Sequence, residues 1–145
     1  MADSSSDLID QFEHYYTQLS RDSLAYLADI YSDDVIFIDP VTQHEGLTAL
    51  HSYFKSLLEN CEDCTFDIRD RLCTEGSATV TWQLNYAHPK LQRGAIITVP
   101  GISIVKYRES KIYFQQDYYD LGAMLYEHVP VLGRLIRALR KRLAA

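Results

Sequence analysis

The sequence predicts an α+β fold, and three observations carry that prediction. Apolar residues recur at helical spacing over the first sixty positions, the period then falls to two for more than fifty residues, and helical spacing returns after position 120. A chain of 145 residues, 47% hydrophobic and 23% charged, suits one globular domain and is too short for two independent cores. The whole of 1–145 is therefore read as a single domain, with helices and strands over 7–120 and a helical extension over 121–145.

Ser4 to Ser6 offer an N-cap, and Asp7 and Asp10 suit a first helical turn. Leu8, Phe12, Tyr15 and Leu19 then mark one helical face. A second short helix fits 22–31, with Leu24, Leu27 and Ile30 facing inward, and Ser32-Asp33-Asp34 reads as a turn. Val35-Ile36-Phe37-Ile38 is a buried strand that ends at Asp39-Pro40. A third helix runs from Gly46 to about residue 59, with Leu47, Leu50, Phe54 and Leu57 on one side. Phe66, Ile68 and Leu72 next alternate with Asp67, Arg69 and Arg71, and Ala78, Val80, Trp82, Leu84 and Tyr86 alternate with Thr79, Thr81, Gln83 and Asn85. Two more strands fit 95–107 and 111–119, with a bulge or bend expected at Pro100-Gly101. Pro130 is placed to open a last, amphipathic helix.

Charge narrows the partners. The net charge of −6 lacks the positive field that a phosphate backbone requires, so nucleic acid is disfavoured. The distribution is uneven: positions 131–145 carry five basic residues and no acid, leaving nine basic against 20 acidic residues elsewhere. No basic, apolar leader opens the chain, and no apolar run approaches a membrane span, so the expected location is the cytoplasm. Cys61, Cys64 and Cys73, an odd count, fit free thiols in a reducing compartment. Cys61-Glu62-Asp63-Cys64 has no second pair for zinc, and His44, His51 and His88 show no metal-ligand spacing, so neither metal nor cofactor is expected. His51 is read as a structural histidine near the apolar side of its helix, and His88 as a loop residue.

The stretch Tyr31-Ser32-Asp33-Asp34-Val35-Ile36-Phe37-Ile38-Asp39-Pro40-Val41, followed by Gly46 and a helix, resembles a segment of the ketosteroid isomerases and SnoaL-like proteins of the nuclear transport factor 2-like superfamily. That resemblance implies a cone-shaped α+β fold, a curved antiparallel sheet wrapped around N-terminal helices. It also implies Asp39 as a general base and, by ungapped alignment, Tyr15 as the oxyanion donor. The second donor of the isomerases, an aspartate, is replaced here by Ser103. The SnoaL-like cyclases carry an acid late in the last strand, a place that Asp117 occupies here.

Each candidate has a plainer alternative. Asp39 could serve only as an Asx turn or helix cap. Asp117 is a pocket acid only if the face it shares with Tyr113, Gln115 and Tyr119 lines the cone. Asp70 breaks the alternation of its strand and is expected at an edge or beside an arginine. Trp82, Tyr86, Tyr119, Phe54 and Ser103 are candidate pocket residues, and Trp82 and Tyr86 would equally suit a core.

These readings converge on a pocket for a small, mostly apolar, carbonyl-bearing molecule. The chemistry expected there is cofactor-free proton transfer, as in an isomerase, an aldol-type cyclase or a dehydratase. The alternative is a ligand-binding or dimeric assembly module without turnover. Epoxide hydrolysis ranks lower, because Arg69 and Arg71 alternate outward. A homodimer is expected through the outward row Thr79, Thr81, Gln83 and Asn85. The last helix is expected to pack Leu132, Leu135, Ile136, Leu139 and Leu143 onto its own protein and to keep its basic side chains wet, with a membrane contact disfavoured.

Overall fold

The computed structural model describes residues 4–61 and 63–145. The first three residues, where a leader would begin, and Glu62 of the C-x-x-C lie outside the described residues. The elements run α1 (Ser4–Thr17), a 3₁₀ turn (Asp22–Tyr26), α2 (Leu27–Ile30), β1 (Tyr31–Ile38), β2 (Gln43–Glu45), α3 (Leu47–Asn60), β3 (Asp63–Thr74), β4 (Ser77–Ala87), β5 (Ile97–Arg108), β6 (Lys111–Tyr119), α4 (Leu121–Met124) and α5 (Leu132–Ala144). Six strands form one curved, unclosed sheet in the order β2-β1-β6-β5-β4-β3. All neighbours are antiparallel except β1 and β6, which run parallel.

The core lies between the concave face of the sheet and the helices α1 to α3. Leu8, Ile9, Phe12, Tyr15 and Tyr16 of α1 and Leu50 and Phe54 of α3 meet Val80, Trp82, Val105 and Ile112 of the sheet. Fully burying each large apolar side chain contributes about 1.5–3 kcal/mol, so this cluster supplies the main drive for folding.

Several local expectations are corrected. The helix expected over 22–31 is a 3₁₀ segment followed by a single α turn, and β1 begins at Tyr31. Ser32-Asp33-Asp34 is not a turn between elements. It is an irregularity inside β1, whose register against β6 jumps between Tyr31 and Ile36. Pro100 opposes Gln83 in an unbroken β4–β5 ladder. It lies past Gly101, the last β5 partner of β6, where its missing N–H is not required. His51 is exposed on α3.

In β3 the bulge lies elsewhere, between Ile68 and Asp70. An extra residue reverses the faces beyond it. Leu72 is therefore 69% exposed rather than buried. Arg71, expected to point outward, reaches α1 and pairs with Asp10 at 2.5 Å and Glu13 at 3.6 Å. Asp70 is exposed and needs no partner.

The last helix departs furthest from expectation. Pro130 does not start it. The Leu132 amide donates to the Pro130 carbonyl at 2.8 Å across Val131 at φ 71°, ψ −58°, a strained γ-turn, and α5 begins only beyond it. Nor does its leucine face pack inward. Gly133 is the buried position, because a Cβ there would stand 2.2 Å from the Glu127 carbonyl oxygen. Arg137 donates to that same oxygen at 2.6 Å, and Arg140 pairs with Asp120 and Glu127. Two basic side chains thus dock the helix, and the leucines remain outside.

Candidate functional site

A cavity of about 230 Å³ opens between the concave sheet face, α1, α3 and α4. Eight aromatic rings line it, from Tyr16, Phe37, Tyr53, Phe54, Phe66, Trp82, Tyr86 and Tyr119. Asp39 and Asp117 are the charged residues that line it among the described residues. Asp39, Asp117, Phe54, Trp82, Tyr86 and Tyr119, each singled out from sequence, therefore share one space.

Asp39 sits just after β1, where the chain reverses into β2. Its Oδ1 accepts from the amides of Val41 at 2.8 Å and Thr42 at 2.9 Å, an Asx turn that forms this hairpin. Its Oδ2 accepts from the Tyr53 hydroxyl on α3. Turn residue and cavity carboxyl are thus the same group. Burial and this bond to Asp39 both push the Tyr53 phenol up. His44 of β2 stacks on Tyr53 with ring centres 4.2 Å apart, its buried Nε2 without a partner among the described residues.

Asp117 stands at the end of a directed hydrogen-bond network. The Trp82 indole donates to Ser103 Oγ at 2.9 Å, and Ser103 donates to Asp117 Oδ1 at 2.6 Å. Gln115 Nε2 donates to the same Oδ1 at 2.9 Å. Behind it, Tyr31 donates to Gln115 Oε1 at 2.5 Å, so the proton shared at 2.6 Å between Tyr16 and Tyr31 must come from Tyr16. Every donor reaching Asp117 converges on Oδ1. Its Oδ2 has no protein partner among the described residues and is the oxygen that carries the proton when the acid is neutral. Burial pushes the Asp117 carboxyl from 3.8 up to about 7; the bonds from Ser103 and Gln115 oppose the shift, and the Asp39 charge adds to it.

Two sequence-predicted residues are placed differently. Tyr15 does not reach the cavity. It lines a separate hollow with Gln11, His14, Ser23 and Tyr26, because one step along a helix turns a side chain by about 100°. Its neighbour Tyr16 faces the cavity, but the Tyr16 proton is committed to Tyr31. Ser103 is 2% exposed and does not line the cavity; it carries the bond from Trp82 to Asp117. Tyr119 is the cavity phenol whose hydroxyl has no hydrogen-bond partner among the described residues. Tyr86 is tied to the Met124 carbonyl, which anchors α4 over the cavity.

Sequence reasoning missed Tyr53, Tyr31 and Gln115 as members of the site. Tyr53 carried a signal, since Leu50, Tyr53, Phe54 and Leu57 follow the i, i+3, i+4, i+7 pattern. Gln115 carried one too, as an uncharged polar residue between Tyr113 and Asp117 on one strand face. Cys61 and Cys64 also line the cavity, and burial raises both thiols, Cys64 to about 12. Such thiols are poor nucleophiles. Among the described residues no cluster of three or more His, Cys, Asp or Glu side chains could hold a metal ion.

The SnoaL-like domain model matches residues 12–114. The chain belongs to the SnoaL-like family. Solved structures of related fold cover most of it. A SnoaL-like protein assigned as a polyketide cyclase from Jannaschia sp. CCS1 superposes with a TM-score of 0.73 at 11% identity, covering 84% of this chain and 89% of its own. Another with the same assignment, from Shewanella denitrificans OS-217, gives 0.70 at 19% identity, covering 83% and 93%. A ketosteroid isomerase-like protein from Catenulispora acidiphila DSM 44928, solved in complex with trimethylamine, gives 0.71 at 15% identity, covering 83% and 91%. At these identities the likeness extends to the fold alone. The chain matches no curated protein by sequence.

Proposed function

We propose that this SnoaL-like domain binds a small, mostly apolar carbonyl compound in the aromatic cavity and moves a proton on the carbon beside the carbonyl. The observation that supports this most is the free Oδ2 of Asp117 on a carboxyl held near neutrality. A base is most effective when its pKa lies near the working pH. In the step, the C–H bond breaks, its proton passes to Asp117 Oδ2, and the electron pair forms the enolate. Tyr119, with an uncommitted O–H, donates to the enolate oxygen. Asp39, occupied by three donors, orients Tyr53, and its negative charge raises the proton affinity of Asp117. This assignment moves the base from Asp39 to Asp117 and the donor from Tyr15 to Tyr119.

The test is exchange of α-protons for deuterium in a panel of small apolar ketones, followed by NMR. Because Asp117 acts as base only when ionised, exchange should rise with pH to a plateau, with a midpoint near 7. Asp117→Asn should reduce it to background, and Tyr119→Phe should slow it without moving the midpoint. Exchange that persists in Asp117→Asn removes Asp117 from the mechanism.

Ligand binding without turnover is favoured by a different observation. Eight aromatic side chains and two carboxyls, with no cationic side chain in the lining among the described residues, also suit a small organic cation. The trimethylamine complex of the Catenulispora protein is in keeping with that reading. Absence of exchange, together with a response of Trp82 fluorescence to tetramethylammonium, would select it.

We further propose a homodimer through the outer sheet face. There Gln83 accepts from Arg69, and Asn85 donates to Asp67 and accepts from Thr98, so the side chains are held flat against the sheet. Light scattering at micromolar concentration should give twice the chain mass; a monomer mass would contradict it.

A further inference from the structure

We propose that α5 is a docking element for an anionic lipid surface, held by the body of the protein with its apolar side outward. Leu132, Leu135, Leu139 and Leu143 are 38, 58, 49 and 87% exposed, and they share one face of a helix about 20 Å long. An exposed leucine stripe needs an occupant, and the charges around it indicate which. The helix carries five basic residues and no acid. Arg140 is paired with Asp120 and Glu127, and Arg137 is bound to a carbonyl. Arg134, Lys141 and Arg142 have no carboxylate partner among the described residues. By helical spacing Arg134 and Lys141 lie about a quarter turn from Gly133, on the side of α5 opposite the leucine stripe, and Arg142 lies opposite Gly133 and borders the stripe. A leucine stripe bordered by Arg142 and backed by a basic opposite face suits a surface that is apolar below and anionic above. No helix among the described residues is long and apolar enough to cross a membrane, so the contact is one of lying on the surface.

A second copy is the weaker occupant. Pairing α5 with its twin would bring together two helices that each carry three cations without a carboxylate partner among the described residues and no acid. Elsewhere the exposed large apolar residues Tyr26, Val41, Leu57, Leu72, Ile96, Tyr118 and Tyr126 come singly from separate elements, so among the described residues no other element presents a matching stripe. The acidic body does not prevent approach. Its field is screened beyond about 8 Å at physiological salt, and a helix is about 10 Å thick. The mode of docking is itself an argument. Gly133, Arg137 and Arg140 fix α5 by the side next to the leucine stripe, which holds the stripe clear of the body.

The test is co-sedimentation of the full chain with vesicles of phosphatidylcholine alone or mixed with phosphatidylglycerol, at low and high salt. Binding is expected only with phosphatidylglycerol and should weaken at least about tenfold in high salt. Leu135→Ser combined with Leu139→Ser should abolish it, as should Arg134→Glu combined with Lys141→Glu. All four side chains are exposed, so the thermal melts of both variants should match that of the unsubstituted protein. Three results would overturn the proposal: equal binding to both vesicle types, no binding to either, or a leucine variant that changes the mass by light scattering. The last would identify a second copy as the occupant.

Discussion

Asp117→Asn is expected to stabilise the protein at pH 8 while removing its proton-transfer chemistry. The Asp117 carboxyl is pushed from 3.8 in an exposed setting to about 7 in the fold, mainly by burial. Between those values the folded state holds a proton that the unfolded state has released. Stability must then fall as pH rises from about 4 to about 7 and stay low above it. At pH 8 the penalty is on the order of 4 kcal/mol, since each pH unit between the two values corresponds to 1.36 kcal/mol. Asparagine keeps an acceptor for Ser103 and Gln115 and never ionises, so it escapes this cost. Urea denaturation should therefore show a sloping pH profile for the native sequence and a flat one for the variant, with the two meeting near pH 4. A variant less stable than the native protein at pH 8 would show that the carboxyl is not desolvated as described. Loss of function with gain of stability is the usual signature of a site that keeps an unfavourable group for its chemistry.

How much of this was legible in the sequence depends on the range of the interaction. Alternation along β4 and β6 placed Trp82, Tyr86, Asp117 and Tyr119 toward the concave face, because strand periodicity is local and has no intermediate values. It failed in β3, where the bulge between Ile68 and Asp70 turned Leu72 out and Arg71 in. The only trace of that bulge in the sequence was an acid out of phase. The exchange of Tyr15 for Tyr16 has the same origin in a helix: two adjacent tyrosines are both buried, and only packing against Tyr31 and Gln115 decides which faces the cavity. The direction of the network from Trp82 to Asp117 was beyond reach, since its members come from β4, β5 and β6, and their register is set by pairing. The last helix was misread because apolar area was expected to outweigh everything else. A backbone approach that only Gly133 permits, together with ion pairs to Asp120 and Glu127, fixed its orientation instead.

Gly101→Val is expected to destabilise the protein by roughly 2–4 kcal/mol, and the same substitution in a Trp82→Ala background is expected to reverse sign. Gly101 lies directly opposite Trp82 in the β4–β5 ladder. Its backbone angles are open to other residues; what forbids a side chain is the indole, whose Cη2, Cζ3 and Cζ2 atoms would stand 2.2, 2.5 and 2.6 Å from a Cβ. Overpacking of this kind costs about 1–3 kcal/mol. Displacing the ring also breaks the bond from Trp82 to Ser103, worth about 0.5–1.5 kcal/mol, and loosens the support beneath Asp117. Trp82 is the only tryptophan, so its emission reports the displacement directly. Trp82→Ala alone should cost about 3–5 kcal/mol by leaving a void beside Phe66 and Tyr119. Once the indole is gone, the three atoms nearest a Cβ at 101 are gone with it. Glycine inside a strand is unfavourable by about 0.5–1 kcal/mol, so valine at 101 then becomes a gain. Equal effects of Gly101→Val in the two backgrounds would mean that the glycine serves the backbone and not the ring. A large coupling would show that Gly101 is the space into which the floor of the cavity is set, and that the Asp117 network stands on it.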